Sequence, residues 1–404
     1  MRGDGQAFAL VESNTTGSGR LFAAAARERG MRPVVLTADP SRYPYLKHDS
    51  IDVRVVSTSE HDEVLAACEL LSESDGLAGV TSSSEYFIGT ATAVASAMGL
   101  PAGDAAAITR CRSKHHQRMV LSASGVPVPR FRIVSDVVQA VSAAADLGLP
   151  VVVKPSTGTG SAGVRLCHKL SEVDVFTRVL FDSAAATPVL VEEYVNGAEF
   201  SVEVFDDEVI GVVAKHLGPH PYFVELGHDF PAPLSGDVAA ALGECALAAL
   251  SALGVHWSAT HTELRMSAAG PMVIEVNPRL AGGMIPALVQ RARGIDLVDW
   301  VIAKAAGHPV SRRHSQESSA AIRFVQVQQE GVVRSVSGLA EAARSPGVDQ
   351  AVITAAPGDQ IRVTHSFRDR VGYVIATAED AVRAGACAEE ALAHLRVEVG
   401  GAGR

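Results

Sequence analysis

Short apolar runs alternate with longer amphipathic stretches over the first hundred residues. Ala7–Val11, Pro33–Thr37, Ile51–Val56 and Leu77–Thr81 read as buried strands. Leu21–Arg29, Glu63–Leu71 and Ala91–Met98 read as helices, the first stopped by Gly30 and the last by Gly99 and Pro101. Strands alternating with helices predict βαβ units around a parallel sheet, and this unit is placed at residues 1–112.

Beyond it the pattern changes. A helix is expected over Lys114–Ala123, closed by Gly125, followed by the extended stretch Val126–Arg130 with two prolines. The segment 131–195 reads as helix Val137–Leu147, strand Val151–Lys154, a Gly/Ser/Thr loop and strand Val189–Glu193. Strand pairs and the helices Val238–Leu253 and Ile285–Arg293 carry the chain to about residue 310. The tail shows strands Ala320–Val327, Val332–Val336 and Tyr373–Thr377, a helix near Ala384–Leu395 and an end, Gly400–Arg404, expected to fray. The fold class is α/β, with a central unit at 113–312, a lid within it at about 128–195, and a small α+β unit at 313–404.

The 404 residues are 47% hydrophobic and only 5% aromatic, which excludes a largely disordered chain and argues against an all-β sandwich. With 35 Lys and Arg against 45 Asp and Glu, the net charge of −10 disfavours nucleic acid as a partner. Cys68, Cys111, Cys167, Cys245 and Cys387 are scattered and form no Cys-x-x-Cys pair, so neither a disulfide framework nor structural zinc is expected. The apolar run Ala7–Val11 ends at Glu12, too short for a signal-peptide core or a membrane span. The expectation is a soluble, cytoplasmic protein without a membrane partner.

Three segments carry candidate chemistry. In Thr260–Arg279 two β-rich runs flank the turn cluster Ser267–Pro271. A hairpin centred near Ala269 would oppose Glu263 and Glu275 on one face, with Asn277 two residues further along it. Opposed carboxylates repel unless a cation lies between them, and two carboxylates with an amide oxygen suit Mg²⁺. Arg279 follows at once. The bland alternative is a hairpin whose glutamates face water.

In Val151–Gly163 a buried strand delivers Lys154 to a loop with Gly158, Gly160 and Gly163 and the hydroxyls of Ser156, Thr157, Thr159 and Ser161. Such a loop lets backbone N–H groups approach phosphates, although it lacks a terminal Gly-Lys-Ser/Thr. The alternative is a flexible surface loop. In Val189–Phe200 a buried strand ends in Glu192 and Glu193, with Glu199 after a glycine turn, and alone it reads as a strand with a solvated end.

Taken in order, Lys114 in SKHHQRMVLSASGVPVP, Lys154 with its glycine loop, Glu192-Glu193-Tyr194-Val195 with Glu199, and the Glu263/Glu275/Asn277/Arg279 set resemble the ATP-grasp superfamily. The tail, with GYVIAT, a helix and LRVEV, is similar to the small C-terminal domain of its carboxylase-like members. PYFVELGHDFPAPL and NPRLAGG resemble the L-amino acid ligases, which join amino acids into dipeptides and related amides.

The resemblance implies ATP as cosubstrate with two Mg²⁺ ions on Glu263, Glu275 and Asn277, Mn²⁺ being the alternative ion. It implies that Lys114 and Lys154 hold phosphates together with Ser156, Gly158, Gly160, Ser161 and Gly163. Main-chain atoms of Glu193 and Val195, beside Glu192, would read adenine, and Glu199 the ribose. It places Glu225 at the α-amino group of the first substrate, His228 by its reacting carboxyl, and Arg279, with Gly282 and Gly283, at phosphate and carboxylate. His228, Arg279 and Lys154 are the expected catalytic set. The expected partners are an amino acid or other carboxylate and an amine, with a homodimer left open.

Lys215 is a weaker candidate, balanced against a solvated strand-end lysine. His216 and His220 flank Gly218-Pro219, which prevents a helical i,i+4 zinc pair. Gly17-Ser18-Gly19, with Asp39 about 20 residues on, imitates a dinucleotide fingerprint, but Phe22 stands where its third glycine belongs. The remaining alternatives are an ATP-dependent carboxylase using bicarbonate and a non-catalytic ATP-binding module.

Overall fold

The computed structural model describes residues 5–14, 18–158, 160–183, 188–310 and 317–400. Strands β1 (Ala7–Val11), β2 (Arg32–Thr37), β3 (Asp52–Val55) and β4 (Leu77–Thr81) form a parallel sheet in the order β3-β2-β1-β4. Every residue of β1 is buried, as expected of a parallel strand covered on both faces.

Strands β5 (Phe131–Val134), β6 (Val151–Pro155), β7 (Arg165–Cys167) and β8 (Val189–Glu193) make a small antiparallel sheet in the order β5-β8-β6-β7. Helices Val137–Leu147 and Leu170–Ser183 cover its apolar face. Next come β9 (Ala198–Phe205), β10 (Glu208–Leu217), β11 (Glu225–Phe230), β12 (Ala259–Ser267) and β13 (Gly270–Asn277). The tail supplies β14 (Ser319–Gln326), β15 (Gly331–Ser337), β16 (Val348–Ile353), β17 (Gln360–Ile361), β18 (Arg370–Ala378) and β19 (Arg396–Gly400).

The largest sheet runs β13-β12-β9-β10-β11-β14-β18-β16. It therefore crosses the position expected to separate the central unit from the C-terminal one, because β11 pairs with β14 from Gly227–Arg323 to Phe230–Ala320. The tail strands β15, β17 and β19 make a separate three-stranded sheet. Gly400 pairs with Val332 in it, so the expected fraying does not include Gly400; residues 401–404 lie outside the described ones.

Helix Gly236–Leu253 is long and apolar enough, by length and composition, to cross a membrane. Here it lays Leu242, Ala246, Ala249 and Leu250 against Val202, Leu264 and Val276 of the large sheet. Helix Ser18–Glu28 packs on helix Leu297–Ala305, and Arg29 Nη2 meets Asp299 Oδ2 at 2.7 Å across that seam.

Helices Ala105–Cys111 and Leu170–Ser183 and the strands β7, β16 and β19 are absent from the sequence-based expectation. Exposed Val175 and Val179 blur the apolar stripe of the helix at 170–183, and the residues of β16 are only partly buried or exposed.

Gly227 is a tightly packed point of the seam between β11 and β14. A Cβ there would lie 2.4 Å from Ile322 O and 2.8 Å from Arg323 Cδ. Gly227→Ala should destabilise the protein by about 1–3 kcal/mol through overpacking. A lowered urea midpoint checks this, and an unchanged one would show that the seam yields freely.

Candidate active site

A cavity lies between the small sheet and the large one. Lys154 from β6, Glu192 and Glu193 from β8, Glu199 from β9 and the β12–β13 hairpin all line it. Strand alternation aims Lys154 and Glu192 to one face, whereas Glu193, next to Glu192, turns its carboxylate to Arg130 at 2.6 Å.

The helix Lys114–Ala123 starts at Ser113, whose Oγ accepts from His116 N. That cap places Lys114 in the first turn, where its Nζ reaches Glu275 Oε1 at 2.9 Å and donates to Gly158 O at 2.6 Å. One helical turn on, Arg118 shares its face. Arg118 Nε meets Glu192 Oε1 at 2.6 Å, and Lys154 Nζ meets Glu192 Oε2 at 2.7 Å. Two buried cations thus surround one carboxylate. Burial, aided by Arg118, pulls the Lys154 ammonium below its ordinary value, although Glu192 opposes this. An added anion would relieve the imbalance, and a phosphate is the natural one.

The glycine loop curls over this end. Gly158 and Gly160 have φ of +130° and +62°, which glycine adopts without the strain a side chain brings. Both line the cavity with Thr157 and Ser161. Thr159 lies outside the described residues. Ser161 Oγ donates to Phe223 O, so its hydroxyl holds the loop down. Ser156 and Gly163 do not line the cavity. Ser156 is fully buried with its hydroxyl against His115 Nδ1 at 2.5 Å, and Gly163 turns against Pro155 and Leu180. The Ser156 hydroxyl thus serves His115, and Gly163 serves the packing of the loop.

At the far end, Glu193 N donates to Arg130 O, and Val195 O accepts from Arg265 Nη1. An adenine would therefore be read by the other main-chain groups of that segment. Glu199 is held by Arg265 Nε and by Lys215 Nζ, each at 2.9 Å. Arg265 also lies 5.2 Å from the centroid of the Tyr194 ring and 5.3 Å from that of Phe223.

The hairpin opposes the anticipated glutamates, but not by the symmetric register expected. Ser267 pairs with Gly270, and a β-bulge between Leu264 and Glu263 brings Glu275 rather than Ile274 opposite Glu263. Glu263 pairs with Glu275, and His261 with Asn277. Both glutamates face the cavity, each touching an ammonium: Lys215 Nζ is 3.1 Å from Glu263 Oε1, and Lys114 holds Glu275. Glu263 also meets His261 Nε2 at 3.3 Å. His261, despite its burial, is raised to about 9 by Glu203 and then Glu263, and is charged at neutral pH. Among the described residues no three His, Cys, Asp or Glu side chains converge as a ready metal cage. The donor types fit a hard divalent cation all the same. Glu263 and Glu275 are opposed across the hairpin, with Asn277 two residues beyond Glu275 on the same strand face though outside the cavity lining. A cation there would take over the charge that Lys215 and Lys114 balance.

Lys215 is not a solvated strand-end lysine. It is buried, with Glu199, Glu225 and Glu263 all within 3.1 Å. Glu225 is consequently no free acceptor, since Arg370 Nη2 also meets its Oε2, at 2.5 Å. His228 lies 3.6 Å from Glu225, and both of its ring nitrogens are buried without a partner among the described residues. Gly283 leaves room for it, because a Cβ there would lie 2.5 Å from His228 Nε2. Arg279 meets Glu85, which follows β4 of the first sheet, with Nε 2.9 Å from Oε2. Gly282 opens onto free space.

His216 bonds Asp229 and His220 bonds Tyr194, so they share no metal site. The dinucleotide alternative fails at the end of β1. The buried Glu12 carboxylate there accepts from Thr37, Ala38, Tyr43 and Thr58, and an anion at that point repels a pyrophosphate. Asp39 caps residues 40–42, and Gly17 lies outside the described residues.

Residues 147–287 match the ATP-grasp domain family, and residues 323–400 match the L-amino acid ligase C-terminal domain 2 family. The chain is 37% identical to the uncharacterized protein y4rH of Sinorhizobium fredii over 92% of its own length and 79% of that protein. It belongs to the ATP-grasp ligases of the L-amino acid ligase type. The alanine–anticapsin ligase of Bacillus amyloliquefaciens is 24% identical over 60% of this chain and 56% of its own length. The crystal structure of the L-amino acid ligase from Bacillus licheniformis superposes with a TM-score of 0.82 at 20% identity, covering 98% of this chain and 99% of that one. The C-terminal match narrows the carboxylase-like reading of the tail to the L-amino acid ligase type. A biotin carboxylase domain from Hydrogenobacter thermophilus still superposes over 98% of this chain and 91% of its own at a TM-score of 0.71 and 17% identity. ATP-grasp ligases use ATP and divalent metal ions.

Arg118, Arg265, His261, Glu85 and Arg370 were missed by sequence reasoning. Only Arg118 carried a signal, its i+4 spacing from Lys114 on one helix face.

Burial lowers the His228 pKa from its ordinary 6.5 to about 3. The folded state therefore binds fewer protons there than the unfolded chain. This stabilisation is full above about pH 6.5 and is lost as pH falls toward about 3. Wild type should lose up to about 1.4 kcal/mol more per pH unit in that window than His228→Asn. Urea unfolding from pH 7 to 4 checks it, and parallel curves would show that His228 titrates normally.

Proposed function

We propose that this ATP-grasp ligase joins the carboxyl group of an amino acid to an amine through an acyl phosphate, releasing ADP and phosphate. A carboxylate cannot acylate an amine directly, because oxide would have to leave. Attack of a carboxylate oxygen on the γ-phosphorus breaks the bond to the β-phosphate oxygen and frees ADP. The amine nitrogen then attacks the acyl carbon, phosphate leaves, and the amine's proton is lost.

The cation excess around Glu192 is the observation that carries this reading. Lys154 lines the end of the cavity covered by the glycine loop. Because Arg118, itself outside the cavity lining, shares Glu192 with it, Lys154 is left with charge to offer the transferring phosphoryl group. Lys114, leaving Glu275, would add a second cation there. Glu263, Glu275 and Asn277 would hold the divalent metal, two Mg²⁺ ions in the fullest form, and the metal would supply charge neutralisation at the phosphates. The glycine loop, fastened where Ser161 Oγ donates to Phe223 O, would exclude water from the acyl phosphate.

Glu225 would receive the donor's α-ammonium. The neutral His228 imidazole offers directional hydrogen bonds at the carboxyl without adding charge, and Arg279 holds the phosphate side. A bicarbonate-using carboxylase has no ammonium to pair with Glu225, which favours the amino-acid ligase. A mere ATP-binding module has no need of the Glu225–His228–Arg279 group.

Phosphate release should require ATP, a divalent metal and an amino acid, and hydroxylamine should trap the activated donor as a hydroxamate. Glu275→Ala should lower this activity by at least about 100-fold, by analogy with removing one charge-stabilising group. Near-normal turnover of that variant at saturating Mg²⁺ would reject the metal assignment.

A further inference from the structure

Two cations meet Glu225 before any substrate does. Lys215 Nζ lies 2.9 Å from Oε1, and Arg370 Nη2 lies 2.5 Å from Oε2. A substrate ammonium that pairs with Glu225 competes with both of them for its oxygens. The two are unequal. Lys215 keeps Glu199 and Glu263 when Glu225 is taken away. Arg370 meets no carboxylate besides Glu225 among the described residues.

Arg370 is also poised to serve another anion. It opens β18, in the region matched by the L-amino acid ligase C-terminal domain. Its Cζ lies 4.0 Å from the centroid of the Phe324 ring, so the guanidinium keeps its place when an ionic partner changes. Its Nε is buried and has no hydrogen-bond partner, an arrangement that is costly unless a ligand completes it. The same Phe324 ring meets the edge of His228, whose two nitrogens are likewise unpartnered. Three unsatisfied polar atoms thus gather around one aromatic ring, beside Glu225.

We propose that Arg370 binds the free carboxylate of the amine substrate, and that it is released for this when the donor's ammonium replaces it on Glu225. The acceptor is then an α-amino acid or another amine bearing a carboxylate, rather than a simple amine, and the donor binds first. The inference rests on the ligase reading above. A planar fork with a free Nε and a terminal nitrogen matches two carboxylate oxygens, which a lysine at that place would not.

The test uses the full-length protein. Wild type is first given ATP, Mg²⁺, hydroxylamine and each of the twenty L-amino acids, and the donor is the one that forms a hydroxamate. No hydroxamate with any of them would reject the ligase reading itself and leave nothing for Arg370 to do. With the donor fixed, acceptors are compared as acid and amide pairs, such as L-alanine with L-alaninamide and L-phenylalanine with L-phenylalaninamide. Wild type should prefer the acid through its KM. In Arg370→Gln the KM for the acid should rise about 10- to 100-fold, the range for losing a hydrogen bond to a charged group, so that the preference collapses. Arg370→Lys should restore part of it. Equal losses for acid and amide, or a wild type indifferent between them, would overturn the proposal. If Arg370→Gln fails to fold, the wild-type comparison and the lysine variant still decide.

Discussion

One ammonium group ties the cavity together. Lys215 Nζ stands within 3.1 Å of Glu199, Glu225 and Glu263, which come from three different strands, β9, β11 and β12. Three carboxylates this close cannot all stay ionised in a buried setting without a cation among them. Lys215 supplies it, and its own proton is held far above the ordinary lysine range, with the glutamates outweighing its burial. Glu225 and Glu263 are correspondingly held down, against burial, with Lys215 the chief neighbour in each case. The lysine comes from β10, between β9 and β11 in the sheet, so cross-strand pairing alone brings it beside Glu199 and near Glu225.

The opposite end of the cavity obeys the same rule with the sign reversed. Arg118 and Lys154 outnumber Glu192, leaving a site that gains by receiving an anion. A ligand with a phosphate tail and a neutral base suits such a gradient: cations at one end, carboxylates along the floor. The small sheet contributes Lys154 and Glu192, the helix at 114–123 contributes Arg118, and the large sheet contributes the carboxylates. Each segment is incomplete electrostatically without the others. The charge pattern therefore exists only when the small sheet and the large one face each other.

The substrate end adds two more long-range partners. Glu85 reaches Arg279 from the segment after β4, and Arg370 reaches Glu225 from β18. The first is possible because helix Ser18–Glu28 packs on helix Leu297–Ala305 and fixes the parallel sheet against the rest. The second is possible because β14 and β18 extend the sheet that carries β11. Gly227 marks how closely those strands approach. The tail is thus a wall of the site and not an appendage to it.

Local periodicity was enough for much of this protein. Alternating strands and helices specify the parallel sheet, and a turn cluster with period-two flanks specifies the hairpin, although a β-bulge sets the register that opposes Glu263 and Glu275. The glycine loop after a buried strand, and the ordered set of lysines and glutamates, identify the ATP-grasp family. What only the tertiary structure decided is which charges meet. Arg118 finds Glu192 across 74 positions, Arg265 finds Glu199 across 66, Arg370 finds Glu225 across 145 and Glu85 finds Arg279 across 194. Ser156 shows the converse, a hydroxyl in a phosphate-like loop that folding buries against His115. The reason is physical. Secondary structure follows from side-chain periodicity within a dozen residues, whereas the protonation and partner of a charged side chain follow from what is packed over it. For Lys215 that covering comes from neighbouring strands whose contact no local pattern encodes.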